Sequence, residues 1–121
     1  MLILLLLLPN GIKQEYSFEA NSSIKIGSDP ICDVVISSDI VDKVHCTLIL
    51  YYDDDFYYLL FDGKVQGSPS IGGTWVNNKR VFLKRKINNQ DVVTFSKDYI
   101  YPHLILFPNG ILTEECETSE S

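Results

Sequence analysis

The sequence predicts an all-β protein, a sandwich or barrel of many short strands. Three observations carry that reading. Short apolar runs recur between clusters of turn-forming residues, and Ile, Val, Tyr and Phe are plentiful while Ala and Met are scarce. No stretch keeps a 3.6-residue apolar period. Together these features suit strands and disfavour helices.

Leu2–Leu8 is the first run, and Pro9, Asn10 and Gly11 end it in a turn. It imitates a secretion signal, but it lacks a basic leading segment and a small-residue cleavage site before Lys13. It is also far too short to cross a bilayer as a helix, so a buried strand is expected. Gln14–Glu19 alternates, with Tyr16 and Phe18 on one face, before a turn at Asn21–Ser23. Ile24–Ile26 stops at GSDP, and Val34–Ile36 stops at SSD. Val44–Tyr52 and Phe56–Phe61 flank three Asp and read as a hairpin. Thr74–Val76 precedes NNK, Val81–Leu83 precedes KRK, Val92–Phe95 follows NNQD, and Leu104–Phe107 precedes a second PNG. That makes about ten strands.

The chain's 121 residues suit one domain with one core. The net charge of −6 is unevenly placed. The last eight residues, EECETSES, hold four Glu and no base, which leaves residues 1–113 with 12 acids and 10 bases. A folded domain over 1–110 and an acidic polar tail or linker without fixed structure over 111–121 are expected. The nearly neutral body disfavours nucleic-acid binding, which needs a basic surplus. Cys32, Cys46 and Cys116 are an odd count without CxxC spacing, so neither a disulfide framework nor a zinc ribbon is expected. The expected compartment is reducing and cytoplasmic.

Catalysis finds no foothold. His45 and Cys46 are adjacent in an expected strand, so their side chains point to opposite faces and cannot form a dyad. The other histidine, His103, follows Pro102 at a strand start. Asp53, Asp54 and Asp55 read as a solvated turn, because calcium loops alternate their ligands and carry a glycine. No metal or other cofactor is expected. The segment KRVFLKRK at 79–86 has five bases in eight positions. It is either a charged strand edge with Val81 and Leu83 facing inward, or a contact for an acidic peptide or phosphate. Gly72 and Gly73 suit a close backbone approach or a positive φ.

Four separated stretches occur in a telling order: IKIGSDPICDVVI, VDKVHCTLI, SPSIGGTWVNNKRV and INNQDVVTFS. Over roughly Leu2 to Pro108 this arrangement resembles a forkhead-associated (FHA) domain. The resemblance implies an eleven-stranded, mostly antiparallel β-sandwich whose loops, gathered at one end, bind phosphothreonine peptides. It matches Gly27 to the family's Gly of Gly-Arg, Asp33 to the Asp of the short strand, and His45 to the loop-bracing histidine. Gly73 and Thr74 match the Gly-Thr, Asn77 the Asn, and Asp91 the late Asp.

The contact positions depart from the family. Ser28 stands where the family has its phosphate-binding arginine. Asp42 stands at the phosphate-binding serine, and Gly72 at the asparagine that grips the peptide backbone. Serine cannot copy the donor fork of arginine. A carboxylate about 4 Å from each unit of phosphate charge is repelled by about 1 kcal/mol in water and about 4 kcal/mol at an effective dielectric of 20. Phosphothreonine carries nearly two such charges. Lys43, Ser28 and Arg80 return only part of that deficit.

The expected function is therefore a non-catalytic protein–protein interaction module, independent of phosphothreonine or only weakly dependent on it. Its partner would be a protein or peptide meeting loop residues Ser28, Asp42, Lys43, Ile71, Gly72 and Arg80, with no role for nucleic acid or membrane. The alternatives are phosphothreonine-peptide binding with altered contacts through Lys43 and Arg80, or an N-terminal regulatory domain of a larger signalling enzyme.

Overall fold

The structure, a computed structural model, describes residues 1–19, 23–64, 67 and 69–110. The expected tail at 111–121 and the expected turn residues Asn21 and Ser22 lie outside that set. Eleven strands form: β1 (Leu2–Leu7), β2 (Lys13–Phe18), β3 (Ser23–Gly27), β4 (Val34–Val35), β5 (Cys46–Asp53), β6 (Asp55–Asp62), β7 (Trp75–Val76), β8 (Lys79–Arg80), β9 (Lys84–Lys86), β10 (Asp91–Thr94) and β11 (His103–Phe107). They make two sheets, one ordered β2-β1-β11-β10-β7-β8 and the other β4-β3-β5-β6-β9. Every pairing is antiparallel except β3 with β4. The all-β sandwich expected from the sequence is present.

The first apolar run is explained by its place in the sheet. β1 lies between β2 and β11, with Leu4 opposite both Tyr16 and Leu106. Its inward face, Leu2, Leu4 and Leu6, joins Ile24, Ile26, Leu48, Leu60, Val93, Phe95, Leu104 and Leu106 in the core between the sheets. On its other face Ile3 and Leu5 form a second, smaller cluster with Phe107. A strand buried on both faces has no polar side to show, hence the near-unbroken leucine. Among the described residues there is no helix, so none is long and apolar enough to cross a membrane.

The β5–β6 hairpin turns at Asp54, whose φ is +67°. Cross-strand rings lock it: Tyr51 stacks on Tyr57 with centroids 5.8 Å apart, and Tyr52 meets Phe56 edge-on at 4.9 Å.

Two expectations need correction. Val81–Leu83 is not a strand. β8 pairs with β7 in the first sheet, whereas β9 pairs with β6 in the second, so residues 81–83 are the crossover. Leu83 makes the bend at φ +78°. Val81 is buried as expected, but Leu83 is 73% exposed and Phe82 77%, because the bend breaks the alternation that would have turned Leu83 inward. The second correction concerns His45, which lies just before β5 and outside it. Both His45 and Cys46 are fully buried, with Cys46 in the main core.

Candidate functional site

Three connections meet at one end of the sandwich: 28–33 between β3 and β4, 36–45 between β4 and β5, and, of the described residues between β6 and β7, 63–64, 67 and 69–74. Their mutual hold centres on His45. Its Nδ1 accepts the Asp42 backbone N–H at 3.1 Å, and its Nε2 donates to the Gly73 carbonyl at 2.6 Å. Both ring nitrogens are thus used, and the neutral Nε2–H tautomer is the one that fits. The His45 main chain adds two bonds, donating to Ile26 O at 2.8 Å and accepting from Gly63 N–H at 2.7 Å. Phe95 packs edge-on against the ring at 5.0 Å.

Burial pushes the His45 pKa below its ordinary 6.5, against the opposing pull of the Gly73 carbonyl, Asp42 and Asp62. His103 is lowered in the same way by burial, opposed by its bond to the Ile100 carbonyl. A histidine lowered in the fold binds its proton more readily in the unfolded chain, so stability falls as pH drops below 6.5 toward the folded-state pKa. Denaturation followed from pH 7.5 to 5.5 should show that fall, at up to about 1.4 kcal/mol per pH unit from His45, with a smaller share from the less buried His103. A flat profile would contradict the assignment.

A second network braces the β6–β7 connection from below. The buried Asp62 Oδ1 accepts from Ser70 Oγ at 2.6 Å and from Thr74 Oγ1 at 2.7 Å, while Ser70 Oγ accepts the Gly73 N–H at 3.0 Å. Asp62 and Ser70 escaped the sequence reading. Asp62's only signal was a lone acid ending an apolar strand just before a Gly, whereas Ser70 lies within the SPSIGGTWVNNKRV stretch without having been assigned a role.

The remaining motif residues are all engaged. A Cβ on Gly27 would collide with the Lys43 carbonyl oxygen and stand 2.9 Å from Asp42 O; this closeness lets Ser28 N–H reach Asp42 O at 2.9 Å and Asp29 N–H reach Lys43 O at 3.2 Å. Asp33 Oδ2 accepts from Lys25 N–H at 2.8 Å. Gly73, at φ +87°, lies under the Trp75 ring, where a Cβ would have no room. Asn77 donates from Nδ2 to Asp91 Oδ1 and accepts from Val92 N–H, each at 2.9 Å. Asp91 Oδ2 also takes the Asn88 N–H at 2.7 Å.

On this frame sits an open depression of about 760 Å³ lined by Ser28, Asp42, Lys43 and Ile71, together with Val41, Val44, Lys64, Gly67 and Pro69. Asp42 turns its carboxylate to the third connection, where Oδ2 accepts the Ile71 N–H at 2.7 Å. That short, charge-assisted bond leaves the Ile71 side chain 92% exposed beside the depression. Gly72 and Arg80 do not line it. Gly72 lies against the backbone carbonyls of Phe95 and Ile40. Arg80 is stacked at 5.5 Å from the ring centroids of both Trp75 and Phe82. Lys64, by contrast, does line it and was missed, because an isolated surface lysine carries no pattern.

This arrangement suits recognition. His45 has no ring nitrogen to lend, and burial pushes the Cys46 thiol up, out of reach of a reactive thiolate. Among the described residues no group of three His, Cys, Asp or Glu is placed to hold a metal ion.

Comparison with known proteins agrees with this geometry. A curated relative, an uncharacterised protein of Synechocystis named sll1895, is 32% identical over 80 residues, which is 64% of this chain but 11% of that protein. This chain thus spans about a ninth of that relative's length. The crystal structure of the Slr1951 protein from Synechocystis superposes with a TM-score of 0.72 at 25% identity, covering 88% of this chain and 97% of that one. The MEK1 FHA domain in complex with the HOP1 pThr318 peptide has the same fold, with a TM-score of 0.64 at 18% identity over 88% of this chain and 96% of that one. The family profile named FHA domain matches residues 24–96, and the chain belongs to the FHA domain family.

Proposed function

We propose that this domain is a non-catalytic protein-interaction module that meets a protein or peptide partner through Ser28, Asp42, Lys43 and Ile71, without needing phosphothreonine. Two solved relatives support a partner of this kind: the MEK1 FHA domain in complex with a phosphothreonine peptide, and an FhaA FHA domain complexed with the intracellular domain of Rv3910. The observation that carries the reading is the Asp42 carboxylate, fixed at the rim of the depression by the Ile71 N–H. A phosphate entering there would meet a negative group that cannot swing away, and Ser28 offers no guanidinium in compensation.

The second reading is phosphopeptide binding through altered contacts. Lys43 and Lys64, both lining the depression, favour it. Arg80 lends it little, since it does not line the depression and its guanidinium stacks on Trp75 and Phe82.

A degenerate phosphothreonine peptide library and its unphosphorylated counterpart separate the two. The proposed module prefers neither by more than about twofold. The double variant Ser28→Arg, Asp42→Ser should acquire phosphate-dependent binding at least tenfold above wild type, because each bidentate or charge-assisted contact contributes roughly 1.5–3 kcal/mol. Tight wild-type binding that needs the phosphate and disappears in Lys43→Ala would overturn the proposal. Since the curated relative is much longer, the same surface also suits a regulatory domain within a larger protein, where the partner is another domain of that protein.

A further inference from the structure

The depression at the loop end does not stop at the loops. A second one, about 370 Å³, opens on the outer face of the β3–β5 pair and is lined by Ser23, Lys25, Asp29, Ile31, Thr47 and Ile49. It shares Lys43, Val44 and Lys64 with the first, so the two form one groove running from the loop tips down the sheet. The strand register explains the floor. Lys25 is opposite Thr47 and Ser23 opposite Ile49, and all four point away from the core on which Ile24, Ile26, Cys46 and Leu48 face inward.

The groove combines charge with an apolar base. Lys25, Lys43 and Lys64 are exposed, and among the described residues no ion pair engages their ammonium groups. Its two acids keep their charge but are each tethered by a backbone donor, Asp29 Oδ1 by the Ile31 N–H at 3.0 Å and Asp42 Oδ2 by the Ile71 N–H. Three free ammonium groups thus outnumber two fixed carboxylates, and the groove is net basic. Ile31 is 72% exposed, an apolar side chain offered to solvent between the lysines. In an extended ligand, alternate side chains fall on one face about 6.5–7 Å apart. Carboxylates at two such positions meet the lysines, while an apolar residue at the same-face position between them meets the floor.

We infer that this groove binds an extended acidic segment of a partner protein, its carboxylates met by Lys25, Lys43 and Lys64 and an apolar side chain seated on Ile31, Val44 and Ile49. The inference rests on the reading that the loop end recognises a partner without phosphothreonine, and it names what takes the place of the phosphate. Exposed lysine–carboxylate pairs contribute roughly two- to fivefold each, so three give on the order of tenfold to a hundredfold. Screening beyond a Debye length of about 8–10 Å makes that gain salt-sensitive.

The test uses two fluorescein-labelled peptides on the full chain: one with Glu at alternate positions around a central Leu, and one with Gln in place of each Glu. Fluorescence anisotropy in 50 mM salt should show the Glu peptide binding at least tenfold tighter than the Gln peptide, with the difference shrinking in 500 mM salt. The triple variant Lys25→Glu, Lys43→Glu, Lys64→Glu should abolish it. The charge-matched triple Lys79→Glu, Lys84→Glu, Lys97→Glu should keep it, and circular dichroism shows whether both remain folded. Equal affinity for the two peptides, or equal loss in both triples, overturns the inference. So does binding visible only after Glu114, Glu115, Glu117 and Glu120 are changed to Gln, which makes the chain's own tail the occupant. Phosphothreonine dependence in the library assay defeats the broader reading, whereas a null Glu–Gln comparison defeats this one alone.

Discussion

His45→Ala is expected to destabilise the domain by about 3–4 kcal/mol. Truncation leaves the Asp42 N–H and the Gly73 carbonyl, both bonded to the ring, without partners in a site closed to water. Each such orphan costs about 1–3 kcal/mol, and the space vacated beside Phe95 adds a cavity penalty. Against a typical total of about 5–15 kcal/mol, that is a large share. Urea denaturation at pH 7.5 measures it. His45→Asn, whose amide offers one donor and one acceptor on a shorter stem, should recover part of the loss. A cost below about 1 kcal/mol for His45→Ala would mean that the loops are held by something other than the imidazole.

Gly27→Ala should cost about 3 kcal/mol, and the reason is steric. The new methyl would meet the Lys43 carbonyl oxygen, with the Lys43 carbonyl carbon at 2.7 Å and Asp42 O at 2.9 Å. These are backbone atoms that cannot rotate aside. The chain must open, stretching the bonds from Ser28 N–H and Asp29 N–H to residues 42 and 43 and adding their loss to the overpacking penalty. Gly11→Ala is the control. Gly11 has φ +87° but faces open space, so only the conformational penalty of about 1–2 kcal/mol applies. Equal losses in the two variants, read from thermal or urea midpoints, would refute the steric account.

Strands were legible wherever burial alternates or is complete. Leu2–Leu7, the β5–β6 hairpin and β11 all announce themselves by apolar runs bounded by Pro, Asn, Gly or Asp. Val81–Leu83 misled because its apolar residues straddle a passage between sheets, and a one-dimensional pattern does not record which sheet a strand joins. The braces behaved differently. Gly27, His45 and Asp91 stand out only as motif residues in a known order, and their partners lie far along the chain: Gly73 is 28 residues from His45. Asp62 had no such label, and a buried acid in a hydroxyl network cannot be told from a solvated one until the fold closes over it. Lys64 and Arg80 traded places for a related reason. Arg80 sits in a conspicuous basic run but is drawn onto Trp75 and Phe82, whereas Lys64 is alone in sequence and lines the same depression as Lys43.

The bond from Ile71 N–H to Asp42 Oδ2 also bears on timing. Donor and acceptor belong to one chain, so the anion at the rim is present at every encounter and its local concentration never varies. A phosphate borrowed from a partner is added by one enzyme and removed by another, and recognition then follows their activities. A carboxylate written into the loop has no off state that a phosphatase can set. On the proposed reading, a domain built this way would report how much of its partner is present and would be blind to when that partner was last modified.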